Sequence, residues 1–136
     1  MEAIVLSPAA HQTLAQWHRM IETGDLEDLP AILADDITFR SPFVWTPYTD
    51  KATIVRLLRT VATVFEDFRY HRHFANATGC VLEFSARVGE RKLFGVDLVE
   101  FDGAGRMKDF TVMVRPGTGL EALAAEMGRR LGTEAS

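Results

Sequence analysis

KLFGVDLVEFDGAGRMKDFTVMVRP, residues 92–116, reads as two strands closed by a hairpin turn. In the first half, Leu93, Val99 and Phe101 fall on one face by alternation, and Phe94, Val96 and Leu98 on the other. DGAGR, residues 102–106, supplies the turn, and 107–115 is the returning strand. Both faces are apolar, so both need cover, one from helices and the other from a partner surface. In a chain this short the simplest partner is a second copy, and a homodimer is expected. Asp97 shares the face of Leu93, Gly95 and Val99. A carboxyl group among apolar neighbours has its charged form disfavoured, so its pKa should rise and it can act as a hydrogen-bond donor in a pocket; the other reading is an ionised carboxylate bonded to a neighbouring strand or a helix N-terminus.

Working outward, residues 68–75 and 80–88 are also strand-like, separated by Asn76 to Gly79 and followed by the Gly89-Glu90 turn. Upstream the period lengthens to that of a helix. Ser7-Pro8 is a helix start, Ala10, Leu14, Trp17 and Ile21 recur at helical spacing, and Gly24 can stop the run. Asp25 can cap a second helix with Leu26, Leu29, Ile32 and Leu33, and Pro30 can shift its start toward Asp28. A short strand over 36–41 and a loop from Pro42 to Pro47 follow. Asp50 caps a third helix with the stripe Ile54, Leu57, Leu58, Val61 and Phe65. Thr118 with Glu121 forms a capping box opening a last helix that carries Leu120, Leu123, Ala124, Met127 and Leu131. The order α-α-β-α-β-β-β-β-α predicts an α+β domain spanning 1–136, with helices covering one face of a curved antiparallel sheet.

The chain has 136 residues, 47% hydrophobic and 25% charged, with no apolar run of membrane-spanning length. Its first ten residues, MEAIVLSPAA, lack a basic region and a long apolar stretch, so the expected location is the cytoplasm. The net charge is −4 and the fifteen basic residues are scattered, which argues against a nucleic-acid surface. A small neutral or apolar ligand suits such a chain better. Cys80, the single cysteine, reads as a small buried residue between Gly79 and Val81.

ETGDLEDLPAILADDITFRSP, residues 22–42, together with GVDLVEFDGAGRMKDFTVMVRP, residues 95–116, resembles the nuclear transport factor 2-like superfamily in its SnoaL-like and ketosteroid isomerase-like branch. The resemblance spans residues from about 10 to 116. It implies a cone in which helices and a curved sheet enclose one deep apolar pocket. It also implies that Asp97 stands where the ketosteroid isomerases keep their oxyanion acid. Trp17 stands at the position of their tyrosine, and Ser41 at that of their general-base aspartate. An unaided serine is too weak a base to remove a carbon-bound proton, so ordinary steroid Δ5-isomerisation is not expected.

The pocket is expected to be lined by Trp17, Phe39, Ser41, Leu58, Val61, Asp97 and Val112. Phe39, Phe43, Trp45 and Tyr48 concentrate aromatic area where it would open and can stack on a flat ligand or serve as core and lid. Glu83 has two readings, a second carboxylate near Asp97 or a solvent-facing partner of Arg87 or Arg91. His71 and His73, two apart, fall on one strand face with Arg69; lacking a third ligand they suit an exposed polar face better than a metal, and no metal is expected. His18, beside Trp17, is either a base at the pocket rim or a surface histidine. Two functions remain open: cofactor-free acid–base catalysis by an isomerase, cyclase or hydrolase on a small hydrophobic or polycyclic carbonyl compound, and a non-catalytic binding or interaction module using the same cavity. A second titratable group opposite Asp97 would separate them.

Overall fold

The computed structural model describes residues 5–135. Helix α1 (Pro8–Thr23) starts where Ser7 Oγ accepts the Ala10 N–H at 3.4 Å, and stops at Gly24, whose φ of 75° suits a residue without a side chain. Its buried residues include Ala10, Trp17 and Met20. Helix α2 is a single turn, Leu29–Ile32, with Pro30 in its opening positions. This is shorter than expected: Leu26 stays outside it and Leu33 already begins strand β1 (Leu33–Arg40). The strand therefore starts three residues earlier than predicted and ends before Ser41. The buried Leu33 and Ala34, Leu33 pairing with Met107, take the sheet register instead of a second helical turn.

Asp50 caps α3 (Lys51–Val64) by accepting the Thr53 N–H at 3.0 Å. Strands β2 (Glu66–Ala75), β3 (Gly79–Val88), β4 (Arg91–Phe101) and β5 (Met107–Arg115) then form an antiparallel meander. The sheet order is β1-β5-β4-β3-β2, and β1 runs parallel to β5. The sheet is thus mixed, not wholly antiparallel. The chain leaves β1 through α3, crosses the sheet along three antiparallel steps, and returns beside β1 in the same direction. Helix α4 (Gly117–Ala135) begins one residue before Thr118, with the Leu120 N–H donating to the Pro116 carbonyl at 3.0 Å. Thr118 therefore lies inside the first turn, and the expected capping box is not what starts the helix.

The helices cover one face of the curved, unclosed sheet. Two groups of buried side chains hold them there. One joins Trp17, Leu29, Ile37, Ile54, Leu82 and Phe110, and the other joins Val64, Phe84, Leu93, Leu123 and Met127. Leu57, Tyr70 and Val112 touch both groups, and the space between the groups is the cavity described below.

Gly95 sits on the inner face of β4 two residues before Asp97. A methyl group there would lie 2.6 Å from the Phe84 ring and against the Met113 carbonyl, so the absent side chain is what lets Phe84 pack over the strand. Gly95→Ala is expected to destabilise the fold by about 1–3 kcal/mol or more, since a backbone carbonyl cannot retreat as a side-chain tip can. Urea denaturation checks this, with a lowered midpoint at unchanged slope as the expected result.

Candidate active site

Asp97 projects from the inner face of β4, opposite Leu82 of β3 and Val112 of β5. The alternation that buries Leu93 and Val99 buries Asp97 with them. Its Oδ2 accepts a hydrogen bond from Tyr70 Oη of β2 at 2.7 Å, and Tyr70 Oη accepts one from Trp17 Nε1 of α1 at 2.9 Å. A continuous chain of three groups therefore runs from helix to sheet. Burial pushes the Asp97 carboxyl up to about 7, and the Tyr70 hydrogen bond works in the opposite direction. Tyr70 lies well above the usual phenol value, because burial and the neighbouring carboxylate both oppose a second negative charge. The Cys80 thiol is pushed up to about 12 by burial and by Asp97, so it is a packing residue and not a nucleophile.

Asp97 and Tyr70 line a cavity of about 330 Å³ whose other walls are almost wholly apolar. Helix α1 contributes Trp17 and Ile21, α3 contributes Leu57, Leu58 and Val61, and α4 contributes Leu123 and Met127. Phe39, Phe65, Phe68, Phe84 and Phe110 add aromatic surface. At the mouth, Ser41 Oγ accepts the N–H groups of Phe43 and Val44, each at 3.3 Å, and a two-bond bridge between Phe39 and Tyr48 closes the loop. Ser41 thus organises a turn, which leaves its oxygen little role as a base. No hydrogen bond to the Tyr48 hydroxyl is found among the described residues.

Of the residues proposed from sequence, Trp17, Phe39, Ser41, Tyr48, Leu58, Val61, Asp97 and Val112 come together around this cavity. Trp45 does not. It is 97% exposed, because the Ser41 turn and the Phe39–Tyr48 bridge direct the middle of the loop outward. Glu83 is also absent from the cavity. It lies on the outer sheet face, where Arg72 Nε donates to both carboxylate oxygens at 3.0 Å and holds its pKa below the usual carboxylate range. Neither Arg87 nor Arg91 is its partner; Arg87 is engaged by Glu66 and Asp67. His71 and His73 fall on opposite faces, because the β2–β3 pairing slips between Tyr70 and His73. His71 meets Ser85 Oγ at 2.7 Å on the outside, whereas His73 pairs with buried Leu82 and acts electrostatically on His18. Among the described residues no group of three His, Cys, Asp or Glu side chains could hold a metal. His18 packs against the Tyr70 ring at 5.4 Å behind the cavity wall, and burial lowers its pKa.

A family model for the SnoaL-like domain matches residues 14–115. The chain belongs to the SnoaL-like family. SnoaL-like proteins of the ketosteroid isomerase-like branch share the cone of the nuclear transport factor 2-like superfamily, and solved structures agree with that placement. A steroid delta-isomerase from Pseudomonas aeruginosa is similar at 50% identity over 98% of each chain, with a TM-score of 0.95. An uncharacterized bacterial protein with a cystatin-like fold from Silicibacter pomeroyi DSS-3 has 33% identity, covering 94% of this chain and 91% of its own, with a TM-score of 0.87. A nuclear transport factor 2-like protein of unknown function from Mesorhizobium loti, at 15% identity, shares the fold with a TM-score of 0.71 over 83% of this chain and 100% of its own. Comparison with curated proteins gives no match.

Tyr70 is the site residue that sequence reasoning missed. A tyrosine in an aromatic strand gives no sign of where its hydroxyl ends. Its removal has a signed consequence. Tyr70→Phe deletes the one interaction that lowers the Asp97 pKa, so the carboxyl should titrate above its wild-type value of about 7 in a carbon-detected NMR titration. Stability should follow linkage. The folded pKa of Asp97 exceeds the unfolded value of ~3.9, so folded chains hold more protons between these two pH values and stability falls as pH rises through the window. Asp97→Asn should flatten that part of the stability curve, an effect of a few kcal/mol across the window by denaturation at each pH.

Proposed function

We propose that this pocket protein is a cofactor-free proton-transfer enzyme of the isomerase type, acting on a small, flat, hydrophobic compound with a carbonyl oxygen. One observation carries the reading: a carboxyl group with a pKa of about 7 stands in a cavity whose other walls are apolar and aromatic. A base is most effective when its pKa lies near the working pH, since it is then available in both protonation states. Asp97 would take a proton from the carbon beside the carbonyl and return it, with Tyr70 and Trp17 fixing the carboxyl in place. The similarity to a protein named steroid delta-isomerase supports the reaction class. Ser41 does not supply a second base, because its hydroxyl is committed to the mouth turn.

Exchange of the α-protons of hydrophobic cyclic ketones in D₂O, followed by NMR, tests this. The wild-type chain should catalyse exchange with kcat/KM rising about tenfold per pH unit below 7 and levelling above it, because the ionised carboxylate is the base. Asp97→Asn should abolish exchange and still bind the ketones. The rival reading is a non-catalytic binding module. It is favoured by the fact that, apart from Asp97, the lining residues carry no carboxyl, imidazole or amine group, only the hydroxyls of Ser41, Tyr48 and Tyr70 and the Trp17 indole. Saturable ketone binding without exchange in the wild type would establish it. A β,γ-unsaturated ketosteroid should be turned over more than tenfold below the ~10 s⁻¹ of a typical enzyme.

The protein is further proposed to be a cytoplasmic homodimer joined through the outer sheet face. Phe74 and Met113 there are 56% and 57% exposed, beside Val81, Phe94, Val96 and Leu98. No helix among the described residues is long and apolar enough to cross a membrane. Sedimentation at micromolar concentration should give twice the chain mass of 15.2 kDa.

A further inference from the structure

Three glycines of helix α4, Gly119, Gly128 and Gly132, sit in different surroundings, and the difference bears on what the cavity holds. Gly119 is tight: a methyl group there would lie 2.9 Å from the Leu93 side chain and 2.9 Å from the Lys92 carbonyl, so the helix backbone rests on the start of β4. Gly128 is open, with nothing beyond its own helix within 4 Å of the place a methyl group would take. Gly132 is equally open, but Gly128 lines the cavity and Gly132 does not. Inside a helix glycine is the least favourable residue after proline, because it loses the most backbone freedom on folding. Close packing explains Gly119. It does not explain Gly128.

Ala124, Gly128 and Leu131 recur at helical spacing along one side of α4, and all three line the cavity. Leu123 and Met127, each one position earlier, are buried and seat the helix on the sheet. Ala124 and Gly128 are themselves exposed, so they border the open part of the cavity. The gap at Gly128 is not a frayed helix end. Beyond it, Arg130 Nη1 donates to the Thr63 carbonyl and to Thr63 Oγ1, each at 2.8 Å, and Arg56 Nη2 donates to the Leu131 carbonyl at 3.2 Å. The helix is thus held on β4 before the gap and on α3 after it, and the space left by the missing side chain stays open. Helix α4 also lies beyond residues 14–115 of the family match, so membership in the family does not specify this wall.

We infer that Gly128 sets the length of ligand the cavity takes: the ligand carries an apolar extension from the carbonyl end held at Asp97, and the extension lies in the gap over Gly128. The wall that α3 and α4 share there, with Leu57, Val61 and Leu131, offers no polar group. An alkyl chain or a further hydrocarbon ring suits it, and a charged or hydrogen-bonding extension does not. This rests on the carbonyl pocket proposed above, though not on its reaction, and goes further by naming the shape of the ligand and the residue that limits it.

A series of 4-alkylcyclohexanones from methyl to hexyl, titrated calorimetrically into the full chain, tests this. With the wild type, affinity should rise about fourfold per methylene until the gap is full. Gly128→Leu should end that rise at a shorter chain and weaken the hexyl compound about tenfold or more relative to the methyl compound. Gly128→Ala, which improves helix propensity and so protects the fold, should move the same ratio in the same direction by about fourfold. Gly132→Leu makes the larger exchange outside the cavity and should reproduce the wild-type series. Parallel series for the wild type and both Gly128 variants, an equal effect from Gly132→Leu, or no dependence on chain length in the wild type would overturn the inference. Its fate is separable from that of the reaction. A length limit at Gly128 without proton exchange would uphold the inference and sink the enzyme, and exchange without a length limit would do the reverse.

Discussion

Burying the Asp97 carboxyl is the constraint around which this fold is arranged. An isolated carboxylate in an apolar interior is costly, and the protein resolves the cost by two means at once. It lets the pKa rise to about 7, and it supplies one strong donor in Tyr70. The donor is itself held by Trp17, so a helix, an outer strand and a central strand are tied together by two hydrogen bonds. Those elements enclose the cavity. The group that gives the cavity its chemistry is thus also a tie across it.

Small backbone events set which side chains reach this site. Gly95 lets Phe84 lie over the strand beside Asp97. The slip in β2 pairing brings His73 to the inner side and leaves His71 outside, stacked on Phe94. The Ser41 turn and the Phe39–Tyr48 bridge bring two aromatic rings to the mouth and direct Trp45 away. A carboxylate one residue out of phase, Glu83, ends on the other side of the sheet with a guanidinium instead of a pocket.

What could be read in the sequence follows the same division. Strand alternation placed Asp97 and Val112, and helical spacing placed Trp17, Leu58 and Val61, because each depends on a period that local geometry enforces. The parallel pairing of β1 with β5 was not legible, since strand direction depends on the path through α3 and the meander. Nor was the one-turn α2, where propensity over Leu26 to Leu33 lost to the pairing of Leu33 with Met107. The histidine pair was misplaced, and Glu83 took the outer of its two readings with an arginine other than those expected, for a shared reason. Alternation fixes faces relative to one another, but it does not say which carboxylate finds an arginine or where a register slips. Two aromatic residues show the same limit: Tyr70 gave no sign of carrying the polar link, and Trp45, read as pocket or lid, faces solvent.

The two tryptophans give the molecule a pair of spectroscopic reporters in contrasting settings. Trp17 is buried with its indole N–H on Tyr70, at the end of the chain that reaches Asp97, while Trp45 stands in water beside the opening. Emission from the first senses the polarity and protonation of the cavity, and emission from the second senses what approaches its entrance. Dissolved quenchers reach the second and spare the first. Occupancy of the cavity and encounter at its rim can therefore be followed as separate signals in one unlabelled protein.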